Sequence, residues 1–211
     1  MKDKSTLTTF LNTRGFSNID LTRLLKITMN NRTLPGDWKR ATVVSIHKGS
    51  DRSLVTYYRP VSLTSVVRKQ MEHATATYLR QVWEAKDWLY KGQHGFRPCF
   101  SCESQVITVC QDIADTLDNG GRMETIIVHF SKAFDLVPLG PLLVKIANSG
   151  VEARVVEWVK QFLTGRTQRV RVGGVLSDEV RISSGVPQGS VLCPLLFLTY
   201  LLTYSMVQSP S

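Results

Sequence analysis

The stretch "IIVHFSKAFD", Ile126 to Asp135, does most to narrow what this chain can fold into. A run of β-branched residues predicts a buried strand, here over Glu124 to His129, because such side chains pack well on a pleated surface. A strand that delivers a polar side chain at its end is a common way to build an active site. The following segments predict what surrounds it. "GPLLVKIANSG" and "EARVVEWVKQFLTG" have the spacing of amphipathic helices, each stopped by glycine. "TQRVRVGGVLSDEVRISSG" alternates polar and apolar residues about Gly173 and Gly174, which predicts a hairpin. "GVPQGSVLCPLLFLTYLL" is a glycine-proline loop leading into a strongly apolar helix. A strand, two helices, a hairpin and a helix make an α+β arrangement.

The first half has its own signals. "IDLTRLLKITMNN" places Leu21, Leu24, Leu25 and Met29 on one helical face, with Asp20 as the expected N-cap. "LPGDW" breaks that pattern, "RATVVSIHK" reads as a strand, and "GSDRS" reads as the turn of a hairpin. Val67, Met71, Ala74, Tyr78 and Val82 have helical spacing, and a further helix is expected from Glu103 to Leu117, closed by "DNGG". There is no internal repeat or low-complexity tract.

Charge is the first functional pointer. Across 211 residues, 26 Lys and Arg against 17 Asp and Glu give a net charge of +9. A basic excess of this size favours a polyanionic partner, nucleic acid ahead of an anionic membrane. Apolar residues make up 43%, ordinary for a globular protein, and no apolar run is long enough to span a bilayer. The N-terminal stretch lacks an apolar signal core, so the chain reads as intracellular, with nucleus and cytoplasm equally open. Cys99 and Cys102 form a CxxC with only His94 and Cys110 nearby, which reads as free thiols rather than a zinc site.

Six segments, in this order and spacing, carry a more specific message: "LPGDWKRATVVSIHKGSDRS", "YYRPVSLTS", "QHGFRPCFSCES", "HFSKAFDLVP", "LTGRTQRVRVGG" and "SSGVPQGSVLCPLLF". Together they resemble the reverse transcriptase domain of a non-LTR retrotransposon of the jockey-like LINE type, over about residues 34–198. The resemblance implies a right-hand polymerase: an N-terminal helical extension over 1–33, fingers over 34–122 and a partial palm over 123–211, with the thumb absent. It implies an RNA template, a DNA primer and a deoxynucleoside triphosphate as partners, and nucleotidyl transfer on Mg²⁺. It suggests no membrane and leaves the oligomeric state open.

The same resemblance suggests roles. Lys48 and Arg59 would grip the triphosphate, a point charge beside a planar fork. Gln188 and Gly189 would line the nucleotide pocket, and Phe134 would guard the sugar 2′ side. Arg97, in "QHGFR", would approach the nucleic-acid backbone, whereas Phe96 beside it reads better as core. Arg166, Arg169 and Arg171 form a second basic cluster, with Arg169 and Arg171 on one strand face. The backbone carbonyl of Phe130 would be a metal ligand.

Two departures stand against activity. Where the family carries the first metal-binding aspartate of the palm, this chain carries His129, and neutral imidazole is a poor ligand for Mg²⁺. Asp135 lies six positions further on and cannot take that place without a register change. The family's aromatic-Ala-Asp-Asp motif is not found, and no Asp-Asp pair occurs before Ser211. The expectation is a truncated reverse transcriptase fragment, catalytically inactive as this chain. The alternatives are a non-catalytic RNA or RNA–DNA binding module, or a mis-predicted piece of a longer active polymerase. With the acidic hairpin missing, the palm is expected to be less stable than the fingers, with Ile126, Val128 and the hairpin near Val170 only partly covered.

Overall fold

The computed structural model describes residues 18–205. The chain opens with α1 (Asn18–Asn31) and the single turn α2 (Gly36–Lys39), then β1 (Arg40–His47) and β2 (Tyr58–Leu63). The long helix α3 (Val66–Ala85) and α4 (Cys102–Asp118) follow, then α5 (Leu139–Asn148) and α6 (Ala153–Leu163). The strands β3 (Arg166–Val172), β4 (Val175–Leu176) and β5 (Val180–Ile182) precede α7 (Cys193–Ser205). This is an α+β fold. Asp20 falls inside α1 rather than at its cap, because the helix already starts at Asn18. Most of the stretch 1–33 before α1 lies outside the described residues.

One mixed sheet organises the molecule, in the order β2-β1-β3-β4, with β5 also on β3. β1 and β2 form the expected antiparallel hairpin, with Thr42 opposite Leu63 and His47 opposite Tyr58. The connection is longer than a tight turn and ends in one 3₁₀ turn, Val55–Tyr57. The β3–β4 hairpin turns at Gly173 and Gly174, whose φ values of 56° and 86° are those of a type I′ turn. The link between the two hairpins is parallel: β1 runs beside β3, from Arg40 opposite Thr167 to Val44 opposite Arg171.

The core lies between α3, α5, α6, α7 and one face of this sheet. α6 shows why it forms: Val155, Trp158, Val159, Phe162 and Leu163 recur at helical spacing and are all buried. α7 is buried almost all round, with Cys193 and every residue from Leu195 to Thr199 inside. From α3 come Met71, Ala76, Leu79 and Trp83, the last donating its indole N–H to Ser149 Oγ at 2.7 Å.

The strand expected over 124–129 does not form. Residues 121–130 have no regular structure, and Ile126 and Ile127 are 87% and 91% exposed. β-branched residues favour extended backbone, but a strand exists only where another lends its N–H and C=O groups. Among the described residues no strand lies alongside this run.

Candidate functional site

The loop "SGVPQGS", Ser184 to Ser190, is held from three directions. On one side, Gly185 N donates to Val137 O and Val186 N to Phe134 O, at 2.9 and 2.8 Å. Ser184 Oγ donates to Asp135 O at 3.3 Å. The approach is close enough to require glycine: Gly185 has φ +82°, and a Cβ there would lie 2.6 Å from Asp135 O. The side chains meet as well, with Gln188 Nε2 donating to Asp135 Oδ1 at 3.1 Å. One of the two Gln188 amide N–H groups is thereby engaged, which leaves the other N–H and the carbonyl oxygen to offer a ligand.

On the second side, the end of β2 takes hold of the loop. Ser62 N donates to Gln188 O at 3.0 Å, and Gly189, at φ +90°, sits against Ser62 O and Val61. From beneath, Glu72 of α3 reaches up with a fully buried carboxylate. Its Oε2 accepts from Ser190 Oγ at 2.5 Å and from Val191 N at 2.8 Å. Its Oε1 accepts from Arg68 Nε at 2.8 Å, and the two side chains are 0% and 1% exposed. Ser190 Oγ in turn accepts from Leu192 N and Cys193 N, which caps the start of α7.

Strand register brings the expected triphosphate ligands to the same side. Arg59 on β2 lies directly opposite Ile46 on β1, so the two share a face, and Lys48 lies two residues further along that face. Val61, against which Gly189 rests, is on that face too. Lys48 and Arg59 are exposed, and Lys48 Nζ donates to Thr56 O of its own loop at 3.3 Å. Phe134 is half-buried against Phe197, ring centroids 4.7 Å apart, with the edge of Phe96 at 6.1 Å. Gln188, Gly189 and Phe134 are thus tied together, beside the hairpin that carries Lys48 and Arg59.

Other expected residues lie elsewhere. Phe96 is not core: it is 53% exposed, in a turn with φ +61°. Arg97 is half-buried, donating to Tyr90 O at 3.0 Å and stacking on Phe100. Arg166 is not part of the basic surface. It is 2% exposed, under the sheet, with its guanidinium near the Phe162 ring that also carries Arg68. Burial and the neighbouring Arg68 lower its pKa to about 10. Alternation along β3 explains the split, since Arg169 and Arg171 point to the opposite face.

His129 and Phe130 lie in the exposed, irregular run. The residues present do not fit Mg²⁺. The imidazole of His129 is the wrong donor for a hard ion, and the Asp135 carboxylate is engaged by Gln188. Among the described residues no three His, Cys, Asp or Glu side chains converge on a point. Cys99, Cys102 and Cys110 are exposed free thiols. Burial pushes the Cys193 thiol up to about 12, so it stays protonated.

Sequence reasoning missed Arg68, Glu72 and Ser190. Arg and Glu at i and i+4 on a helix have the signature of an ordinary surface pair. Only the serine at the mouth of an apolar helix hinted at a cap.

The sequence that builds this loop and the hairpin beside it has known relatives. The family model described as reverse transcriptase (RNA-dependent DNA polymerase) matches residues 46–206, and the chain belongs to that family. Its relatives are of the non-LTR kind. It is 33% identical over 167 residues to the RNA-directed DNA polymerase from mobile element jockey of Drosophila melanogaster, covering 79% of this chain. It is 32% identical over 167 residues to the "Probable RNA-directed DNA polymerase from transposon X-element" of the same species. The chain spans 18% of the length of each of these curated relatives. No described helix is long and apolar enough to cross a membrane.

Proposed function

We propose that this chain is the nucleotide-facing part of a jockey-like reverse transcriptase, and that as this chain it does not polymerise. In this reading residues 34–122 are the fingers and 123–211 the palm side, with 1–33 an N-terminal extension. They are lobes of one core rather than separate folding units, since β1 of the first pairs with β3 of the second. Lys48 and Arg59 neutralise the triphosphate, the Gln188 carbonyl and the Gly189 backbone meet the nucleotide, and Phe134 walls the sugar. The observation that supports this most is the threefold clasp on the Gln188 loop, which holds Gln188, Gly189 and Phe134 beside the cationic hairpin.

Inactivity rests on donor chemistry. An imidazole stands where a hard dication needs a carboxylate, and a protonated one repels it. Two measurements test the pair of statements. Triphosphate binding by the purified chain, followed by calorimetry, weakens at least 10-fold in Lys48→Ala/Arg59→Ala; unchanged affinity overturns the pocket. Primer extension with Mg²⁺ gives no product; robust incorporation that survives His129→Ala overturns the inactivity.

A further inference from the structure

Beneath the Gln188 loop lies a cluster of charges that do not balance. Arg68, Glu72 and Arg166 are all but fully buried. Arg166 keeps its proton at neutral pH even there, since burial and the charge of Arg68 bring its pKa down only to about 10. Cys193, buried in the same cluster, is a neutral thiol with its pKa pushed up to about 12. Two cations and one anion leave one positive charge in the core without a counter-charge among the described residues. Buried charges are ordinarily paired.

The hydrogen bonds show where the deficit falls. Glu72 is fully engaged: Oε1 accepts from Arg68 Nε, and Oε2 accepts from Ser190 Oγ and Val191 N. Arg68 also donates from Nη1 to Trp38 O at 2.7 Å. Its Nη2 is buried with no partner among the described residues, and so are Nε and Nη2 of Arg166. The two guanidinium groups lie against one ring, their central carbons 4.7 and 5.9 Å from the Phe162 centroid. That ring attracts a cation through its π face but offers an N–H no lone pair. Three donors on two cations are thus left facing the interior, where an unpaired N–H is costly.

What answers the deficit is set by chemistry. It must accept without donating, carry a single negative charge and fit an enclosed, largely apolar surrounding. Water satisfies the donors but not the charge. A phosphate carries more charge, and more acceptor sites than three N–H groups can fill. A halide meets all three conditions.

We infer that Arg68 and Arg166 form an internal site for one monovalent halide, chloride in solution, held by Arg68 Nη2 and by Nε and Nη2 of Arg166. The site goes beyond the nucleotide reading and does not depend on it. Arg68 stands on α3 and Arg166 begins β3, so the ion joins the helix that anchors the loop to the sheet beside it.

The test is thermal unfolding of the whole chain at constant ionic strength, with sodium chloride replacing sodium gluconate stepwise. An ion that binds only the folded state raises the midpoint and then levels off, and bromide should act as chloride does. Arg166→Met keeps much of the stem and removes the donors. Its midpoint should be indifferent to which anion is present, whatever its absolute stability. Arg169→Gln removes an exposed arginine of the same strand and should keep the native response. The chlorine NMR line should broaden with the native chain and with Arg169→Gln, and not with Arg166→Met. A midpoint that follows ionic strength alone overturns the site, as does a chloride response that survives Arg166→Met or is lost equally in both variants. No response and no line broadening would assign the three donors to water and overturn it too. If Arg166→Met does not fold, bromide-soaked crystals of the native chain decide: an anomalous peak between the two guanidinium groups supports the site, and its absence overturns it.

Discussion

The Gln188 loop and the segment from α4 to Phe130 have similar promise in sequence and opposite fates in the fold. The loop is irregular, yet it is tied to β2, to the turn at Asp135 and to the buried carboxylate of Glu72. α4 is a well-capped helix, with Ser101 and Ser104 exchanging hydrogen bonds at its start, yet it buries no residue. Val106, Ile107 and Leu117 remain 60% exposed or more, and the run after it is bare. Regular local structure and tertiary anchorage are therefore separate properties. A good cap makes a helix; only a partner surface makes it part of the core.

Four experiments bear on that contrast, in order of expected effect. Glu72→Ala should cost about 3–5 kcal/mol in urea denaturation, since it leaves buried Arg68 without its counter-charge. A loss under about 1 kcal/mol, the scale of an exposed pair, would mean the clasp is ornamental. Gly185→Ala should cost about 1–3 kcal/mol from its left-handed backbone alone, and its methyl would also press on Asp135 O. By contrast, Val128→Ser should change the unfolding free energy by less than about 0.5 kcal/mol, and trypsin or chymotrypsin should cut first within residues 102–131. First cuts in the β1–β2 hairpin would reverse the comparison.

The smallest effect concerns pH. The Thr167 hydroxyl, with help from Arg169 and Arg40, holds the Glu179 carboxyl below its ordinary value. A depressed carboxylate pKa stabilises the folded state above the unfolded-state value near 4.5, and that contribution fades as pH falls through the folded value. Glu179→Gln should therefore lose this slight stabilisation at pH 7 and leave stability unchanged at the acidic end, where the carboxyl is already protonated, so the two proteins converge as pH falls below about 4.5. A carboxyl resonance that titrates at or above 4.5 would contradict this.

Much of the fold was legible because it is local. The helices at 66–85, 139–148 and 153–163 follow from apolar spacing and glycine stops, and the β3–β4 hairpin from Gly173-Gly174. The failures were non-local. "ETIIVH" has the composition of a strand, but pairing depends on another segment being present beside it. Arg166 was grouped with Arg169 and Arg171 by proximity, although strand alternation sends it the other way and into the core. The parallel join of β1 to β3 has no sequence signature. Within the site, Gln188, Gly189 and Phe134 came from family motifs, whereas Glu72, which holds their loop in place, is disguised as half of a surface pair.

The β1–β3 pairing also bears on how the chain reaches its fold. It joins segments more than half the chain apart, so closing the sheet closes a loop that contains α3, α4, α5 and α6. Contacts of such long separation slow folding, because the closure entropy must be met before the contact stabilises anything. During that wait the edges of both hairpins and the bare run at 124–130 are open together, ready to pair with other chains. The parallel seam should therefore make refolding slow and sensitive to protein concentration. Refolding at low protein concentration is the condition under which this chain should be recovered best.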